Sequence, residues 1–386
     1  MEELVKTPSP SGKEGDVAGL IRDFLSEAGV DRAFIDSVGN VVAEVKGGGC
    51  GSVLIEGHMD VVDPGNPRNW HVDPYSAKVI DGMLYGRGSA DMKGGIAAQI
   101  ASVSRLGELD VDVYLVYTGL EEAAEGVTIA ETLSTTLRGV NFLAAVTGEA
   151  TSLNLGIGHR GRALIEVIVE GVSAHASMPE EGVNALTGAS RHILAVADAS
   201  ASLPTHQVLG KESATPTLIT CSPLDTPQIP DRCVVVYDHR LVVGREEGDV
   251  LETYLRACRS VEEGGHCRGC SARVRSEELR TWTGVVLKAK DFFNAWVNND
   301  VRLVKGVLEG VKRVRDRTSR YVWRFSTDLA YVSGRLGVPG FGLGPGDERM
   351  AHKPDEHVPL AEVVKAVDMY VALVKSLNSI LPERVK

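Results

Sequence analysis

Short apolar runs alternate with amphipathic stretches along most of this chain. Residues 53–57, 113–118 and 142–147 are mostly apolar, bounded by glycine or polar turns, and each reads as a buried strand. Residues 14–28 carry Val17, Leu20, Ile21, Phe24 and Leu25 at helical spacing, with Gly29 placed to end the helix. Residues 34–46, broken by Gly39-Asn40, predict two strands joined by a tight turn. An Ala-rich run over 94–106 predicts another helix. The long segment 62–90 is rich in proline and glycine and includes Trp70 and His71; irregular loops of that length are often functional. Strands alternating with helices imply an open α/β sheet, with ligands at the carboxyl ends of its strands.

The pattern changes near Arg160. Strand 163–170, helix 182–197, strand 233–239, helix 246–258 and strand 272–277 give a β-α-β-β-α-β-like order. That order predicts a small inserted α+β domain over 162–278. The first style then resumes with helix 300–314, strand 321–326, a short helix from Asp328, strand 339–343 and a closing helix 360–378. The larger domain is therefore expected to be discontinuous, at 1–161 and 279–386.

Bulk properties agree with this and exclude several classes. A length of 386 residues suits about two domains, and 43% hydrophobic with 24% charged residues is ordinary for a globular protein. The net charge is −11, with no basic tract carrying interleaved aromatics, which argues against nucleic acid and anionic membranes as partners. The amino terminus lacks an apolar signal region, and no stretch reaches the ~18 apolar residues of a membrane span, so a cytoplasmic location is expected. The six cysteines are too sparse for a disulfide scaffold. Cys267 and Cys270 form a C-x-x-C without a second ligand pair, and are expected to be ordinary thiols, or a local disulfide in a hyperthermophile.

The chemistry gathers at the predicted strand ends. His58 and Asp60 follow the first central strand, and alternate residues there face the same side, so Asp60 can hold the second nitrogen of His58. Asp91 sits in a glycine-rich turn, Glu121 and Glu122 follow the next strand, Glu149 the one after, and His352 lies in a late loop. Two imidazoles and several carboxylates suit Zn²⁺, Co²⁺ or Mn²⁺ better than Mg²⁺, and there are enough ligands for two ions. Hydrolytic chemistry at such a site wants a nearby carboxylate to move a water proton to a leaving amine.

The segments GHMDVV, Trp70 to Tyr75 (W-x-x-D-P-Y), GRGSADMKGG, Glu121-Glu122, GEAT and AHKPDE together resemble the co-catalytic zinc aminoacylase/carboxypeptidase family. Its members include acetylornithine deacetylase, succinyl-diaminopimelate desuccinylase and glutamate carboxypeptidase, and the resemblance covers nearly the whole chain. It implies a zinc-exopeptidase-like α/β/α sandwich with an inserted ferredoxin-like lid and dimerisation domain. By the same resemblance, His58 and Glu149 would bind one metal, Glu122 and His352 the other, and Asp91 would bridge. Asp60 would orient His58, and Glu121 would serve as general base and then acid. His175, in the S-A-H-x-S segment of Ser173 to Ser177, would polarise the scissile carbonyl across a homodimer. Arg240 would hold a substrate carboxylate, and Gly344 in GLGPG would bring backbone to the substrate.

The implied activity is removal of an acyl group from an N-acyl amino acid of the ornithine, lysine or diaminopimelate type. A dipeptidase or carboxypeptidase is the alternative within the family. A catalytically silent metal-binding homologue is the alternative of another class, and the intact Glu121 and full ligand set argue against it. A nucleotide-binding reading of Gly86-Arg87-Gly88 lacks the third glycine.

Overall fold

A computed structural model describes residues 1–224 and 227–381. Among these residues a nine-stranded mixed sheet forms the larger layer. Its centre is parallel: strand Ser52–His58 lies between Asp112–Thr118 and Phe142–Thr147, and Gly340–Gly342 continues the parallel set beside Phe142–Thr147. The predicted hairpin, Arg32–Ile35 with Val41–Val45, pairs antiparallel at one edge. The side-chain period of two splits each central strand between two cores. Val53, Val113 and Ala144 face helices Gly15–Glu27, Gly94–Val103, Val301–Lys312 and Leu360–Ile380, whereas Leu54, Val116 and Ala145 face Val127–Ser134 and Leu329–Val332. Both faces are covered, which is why these strands read as continuous apolar runs. The result is an α/β/α sandwich.

The second sheet is antiparallel, with strands Ser213–Ser222, Arg232–Leu241, Gly161–Glu170 and Gly269–Val274 in that order. Helices Ala185–Ala199 and Glu247–Glu263 pack on one face, against Ala163, Ile165, Val167 and Val169. Chain order and sheet order together are ferredoxin-like. Two details differ from the sequence reading. Strand 272–277 is in fact two strands, Gly269–Val274 and Ser276–Arg280, broken at Arg275, whose guanidinium pairs with the buried Asp291 carboxylate. The second of these forms a hairpin with Val286–Lys290, and Trp282 at its tip donates to the Gly39 carbonyl at 3.0 Å.

The cysteines are the second correction. Cys221 and Cys233 stand opposite each other in the strand register and are joined, and Cys258 is joined to Cys270. Cys267 is a buried free thiol beside Gly188, so it does not pair with Cys270. Neither pairing is local: each depends on how a helix or strand is laid against another, which the C-x-x-C spacing does not encode.

His159 marks the crossing between the sheets, ending strand Leu155–His159 of the large one just before Gly161–Glu170 of the small one. Its ring is fully buried; Nδ1 lies 3.0 Å from the Arg160 carbonyl, and Nε2 accepts the Thr327 N–H at 3.3 Å. Burial pushes its pKa down from 6.5 to about 3. The folded state then refuses a proton that the unfolded state accepts, so its contribution to stability is full above pH 6.5 and is lost as pH falls towards 3. Melting temperature should therefore drop more steeply with acidification in the parent than in His159→Gln; identical slopes between pH 6.5 and 4 would exclude this role.

Candidate metal centre

The parallel strands end side by side, and their carboxyl ends deliver the polar residues. His58 closes strand Ser52–His58, Glu121 and Glu122 follow Asp112–Thr118, and Glu149 follows Phe142–Thr147. Asp91 enters from the turn ahead of helix Gly94–Val103, and His352 from a loop where its own φ is 61°.

These residues converge as two overlapping triads. His58, Asp91 and Glu149 have ligand atoms all within 4.8 Å of one another, and so do Asp91, Glu122 and His352. His58 Nε2 is 3.0 Å from Asp91 Oδ1 and 3.4 Å from Glu149 Oε1. His352 Nε2 is 2.9 Å from Glu122 Oε2 and 3.3 Å from Asp91 Oδ2. Asp91 thus gives one oxygen to each side. Glu121 belongs to neither triad, but its Oε2 lies 3.9 Å from His58 Nε2. A further group, His192 with Cys258 and Cys270, has its sulfurs committed to a disulfide.

The donor set fits divalent cations. Four carboxylates are packed around two imidazoles, and three of them resist ionisation. Burial, then the charges of Asp91 and Glu122, push Glu149 up to about 7. Burial also raises Glu121 and Glu122, and neighbouring carboxylates reinforce the shift. Asp91 moves the other way, lowered by its bonds to His352 and His58 against the effect of burial. His352, held by Asp91 and Glu122, rises to about 10. Clustered buried anions facing nitrogen donors are what a pair of positive ions offsets.

Asp60 has more contacts than the sequence suggested. The His58 Nδ1 partner is the Asp60 backbone carbonyl at 2.9 Å, with the carboxylate at 3.7 Å. That carboxylate accepts the N–H groups of Glu121 at 3.2 Å and Glu122 at 3.1 Å, and the Ser11 hydroxyl at 2.7 Å. Gly344 lies against the same wall: a Cβ there would stand 2.3 Å from the carbonyl oxygens of both Gly148 and Glu149, so only glycine fits. Within one chain the other two expected residues stay apart. His175 is exposed and its Nδ1 bonds the Ser177 hydroxyl at 2.7 Å, while Arg240 is paired with Asp238 through Nε at 2.7 Å and Nη2 at 3.1 Å.

Sequence reasoning passed over Ser11, Asp328 and Glu356. Glu356, inside AHKPDE, is fully buried and accepts from Arg87 at 2.6 Å and from the N–H groups of Gly88, Ala90 and Asp91 at 2.9–3.0 Å. It therefore shapes the turn that presents Asp91. Glu356→Gln strands the buried Arg87 charge and should lower unfolding free energy by about 3–5 kcal/mol in chemical denaturation; a change under ~1 kcal/mol would contradict this.

Comparison with known proteins agrees with this geometry. A family model described as peptidase family M20/M25/M40 matches residues 54–376. The chain is 30% identical over 379 residues to YgeY of Escherichia coli (strain K12), covering 97% of this chain and 92% of that protein. It is 31% identical over 384 residues to a protein named succinyl-diaminopimelate desuccinylase 2 from Ruegeria sp. (strain TM1040), covering 94% and 90%. Among solved structures it resembles the M20 family metallo-carboxypeptidase Sso-CP2 from Sulfolobus solfataricus, with TM-score 0.76, 18% identity and 98% of each chain covered. It also resembles a tripeptidase from Staphylococcus aureus, with TM-score 0.74, 19% identity and coverage of 98% and 96%. At those identities the structural likeness speaks for the fold. The family match across most of the sequence, on a fold that gathers histidines and carboxylates at its strand ends, makes this chain a metallohydrolase of peptidase family M20/M25/M40.

Proposed function

We propose that the chain hydrolyses the amide bond of an N-acyl amino acid, releasing a carboxylate and the free amine. The observation that carries this reading is the position of Glu121: buried, outside both triads, yet 3.9 Å from the His58 nitrogen. A carboxylate so placed, with a raised pKa, is suited to take a proton from water and return it to the departing nitrogen. His58 and Glu149 would hold one divalent ion and Glu122 and His352 another, with Asp91 shared; zinc is the first assignment, with cobalt and manganese also suited. When bound, such ions polarise a carbonyl and lower the pKa of water. The water oxygen adds to the carbonyl carbon, the C–N bond breaks, and Glu121 carries the proton between them. Asp60 fixes both the His58 ring and the Glu121-Glu122 backbone.

We assign residues 1–161 and 279–386 to the catalytic domain and 162–278 to a lid, with His175 supplied by a partner copy and Arg240 and Gly344 at the substrate. A homodimer through the lid is supported by the open edge at Ser213–Ser222, where Leu218 is 57% and Ile219 41% exposed. No described helix is long and apolar enough to cross a membrane. We assign the protein to the cytoplasm; disulfides persist there chiefly in hyperthermophiles, so a high growth temperature goes with that assignment.

The relative named as a desuccinylase favours deacylation as the first chemistry to try. Purified, zinc-reconstituted protein should be assayed on N-acetyl- and N-succinyl-ornithine, -lysine and -diaminopimelate beside simple dipeptides. Preferred turnover of one acyl amino acid supports the proposal. Turnover of dipeptides alone would replace it with an exopeptidase reading.

A further inference from the structure

The loop carrying Glu121 and Glu122 is held at both ends by a single side chain. It leaves strand Asp112–Thr118 at Thr118 and reaches helix Val127–Ser134 at Gly126. Asp328 spans these points: Oδ2 accepts the Thr118 hydroxyl at 2.6 Å, and Oδ1 accepts the Gly126 N–H at 2.5 Å. Its side chain is 3% exposed, so neither bond is exchanged readily for water. Two residues earlier, the Ser326 hydroxyl donates to Glu125 at 2.7 Å, adding a third tie to the same loop.

The loop needs these ties. Leu120, next to Glu121, has a φ of 62°, and Gly126 has a φ of 80°; a Cβ at Gly126 would stand 2.9 Å from the Tyr331 side chain. On the other side, Asp60 accepts the N–H groups of Glu121 and Glu122. Two buried carboxylates, one before and one beyond the loop, thus fix its backbone, while Asp328 belongs to neither group of candidate ligands.

We propose that Asp328 is a positioning residue for the Glu121-Glu122 pair, fixing the ends of their loop through Thr118 and Gly126. This rests on the reading of Glu121 as the general base. Without the carboxylate, the loop ends lose two bonds and Glu121 samples positions away from the reacting water. A misplacement of about 1 Å can cost ~10²-fold in rate. Glu122 travels on the same loop, so the affinity of the ion it would hold falls as well.

The test uses zinc-loaded protein, the best substrate of the acyl panel, and the variants Asp328→Ala, Asp328→Asn and Thr118→Val. Asp328→Ala should lower kcat by about 10–100-fold with KM within threefold, and weaken zinc binding in calorimetry. Asp328→Asn keeps an acceptor for Gly126 and a donor towards Thr118, so it should recover most of the rate. Thr118→Val should show a smaller loss in the same direction. A lowered melting temperature with kcat within twofold of the parent, measured where every variant is folded, would overturn the proposal. So would Asp328→Asn falling to the alanine level. If Asp328→Ala does not fold, Thr118→Val decides, and an unchanged kcat there overturns the proposal. If Glu121→Ala keeps full kcat, it is the general-base reading that has failed; zinc affinity in the Asp328 variants then decides, and unchanged affinity overturns the positioning role.

Discussion

Glu121→Ala is expected to lower kcat by about 10²–10⁴-fold while leaving KM within a few-fold and both bound ions in place. The expectation follows from where the side chain sits. Burial raises its pKa, the His58 charge opposes this, and Glu149, Asp328 and Glu122 reinforce it, so the group holds a proton more readily than an exposed carboxylate does. None of the His58 and His352 contacts that define the triads is lost with it. Steady-state kinetics beside elemental analysis of the same sample checks both halves. A kcat within tenfold of the parent would remove Glu121 from the chemistry.

Asp91→Ala should be more damaging, and in a different way. Its two oxygens face opposite imidazoles, at 3.0 Å from His58 and 3.3 Å from His352, so one substitution opens both triads. Metal content should fall below one ion per chain, and turnover to that of chelator-treated protein. The loss should exceed the ~10–100-fold cost of altering a partner that only orients a ligand. Elemental analysis after dialysis, followed by zinc add-back, separates this from a folding defect. Retention of two ions would show that Asp91 is not shared.

The site was legible because its residues follow buried strands. Strands 53–57, 113–118 and 142–147 announce themselves by local apolar runs, and the parallel order places His58, Glu121-Glu122 and Glu149 at one edge. The supporting contacts were not legible, because they join positions far apart in sequence. Asp328 reaches Thr118 across 210 residues, and Glu356 reaches Asp91 across 265. Strand Ser213–Ser222 was hidden for another reason: it lies at an edge, mostly exposed and containing Pro216, so it lacks the apolar run of a central strand. Strand Leu155–His159 is short and interrupted by two glycines, which lets the Trp323 ring lie against Gly156 but leaves little periodicity to read.

His58, Asp91, Glu122, Glu149 and His352 are proposed to hold two ions side by side. Anomalous diffraction at the zinc edge, on crystals of zinc-reconstituted protein, tests this most directly. Two peaks separated by about 3.5–4 Å are expected, one against His58 and Glu149, the other against Glu122 and His352, with Asp91 between them. A single peak, or peaks that leave Asp91 or either histidine without an ion, would contradict it.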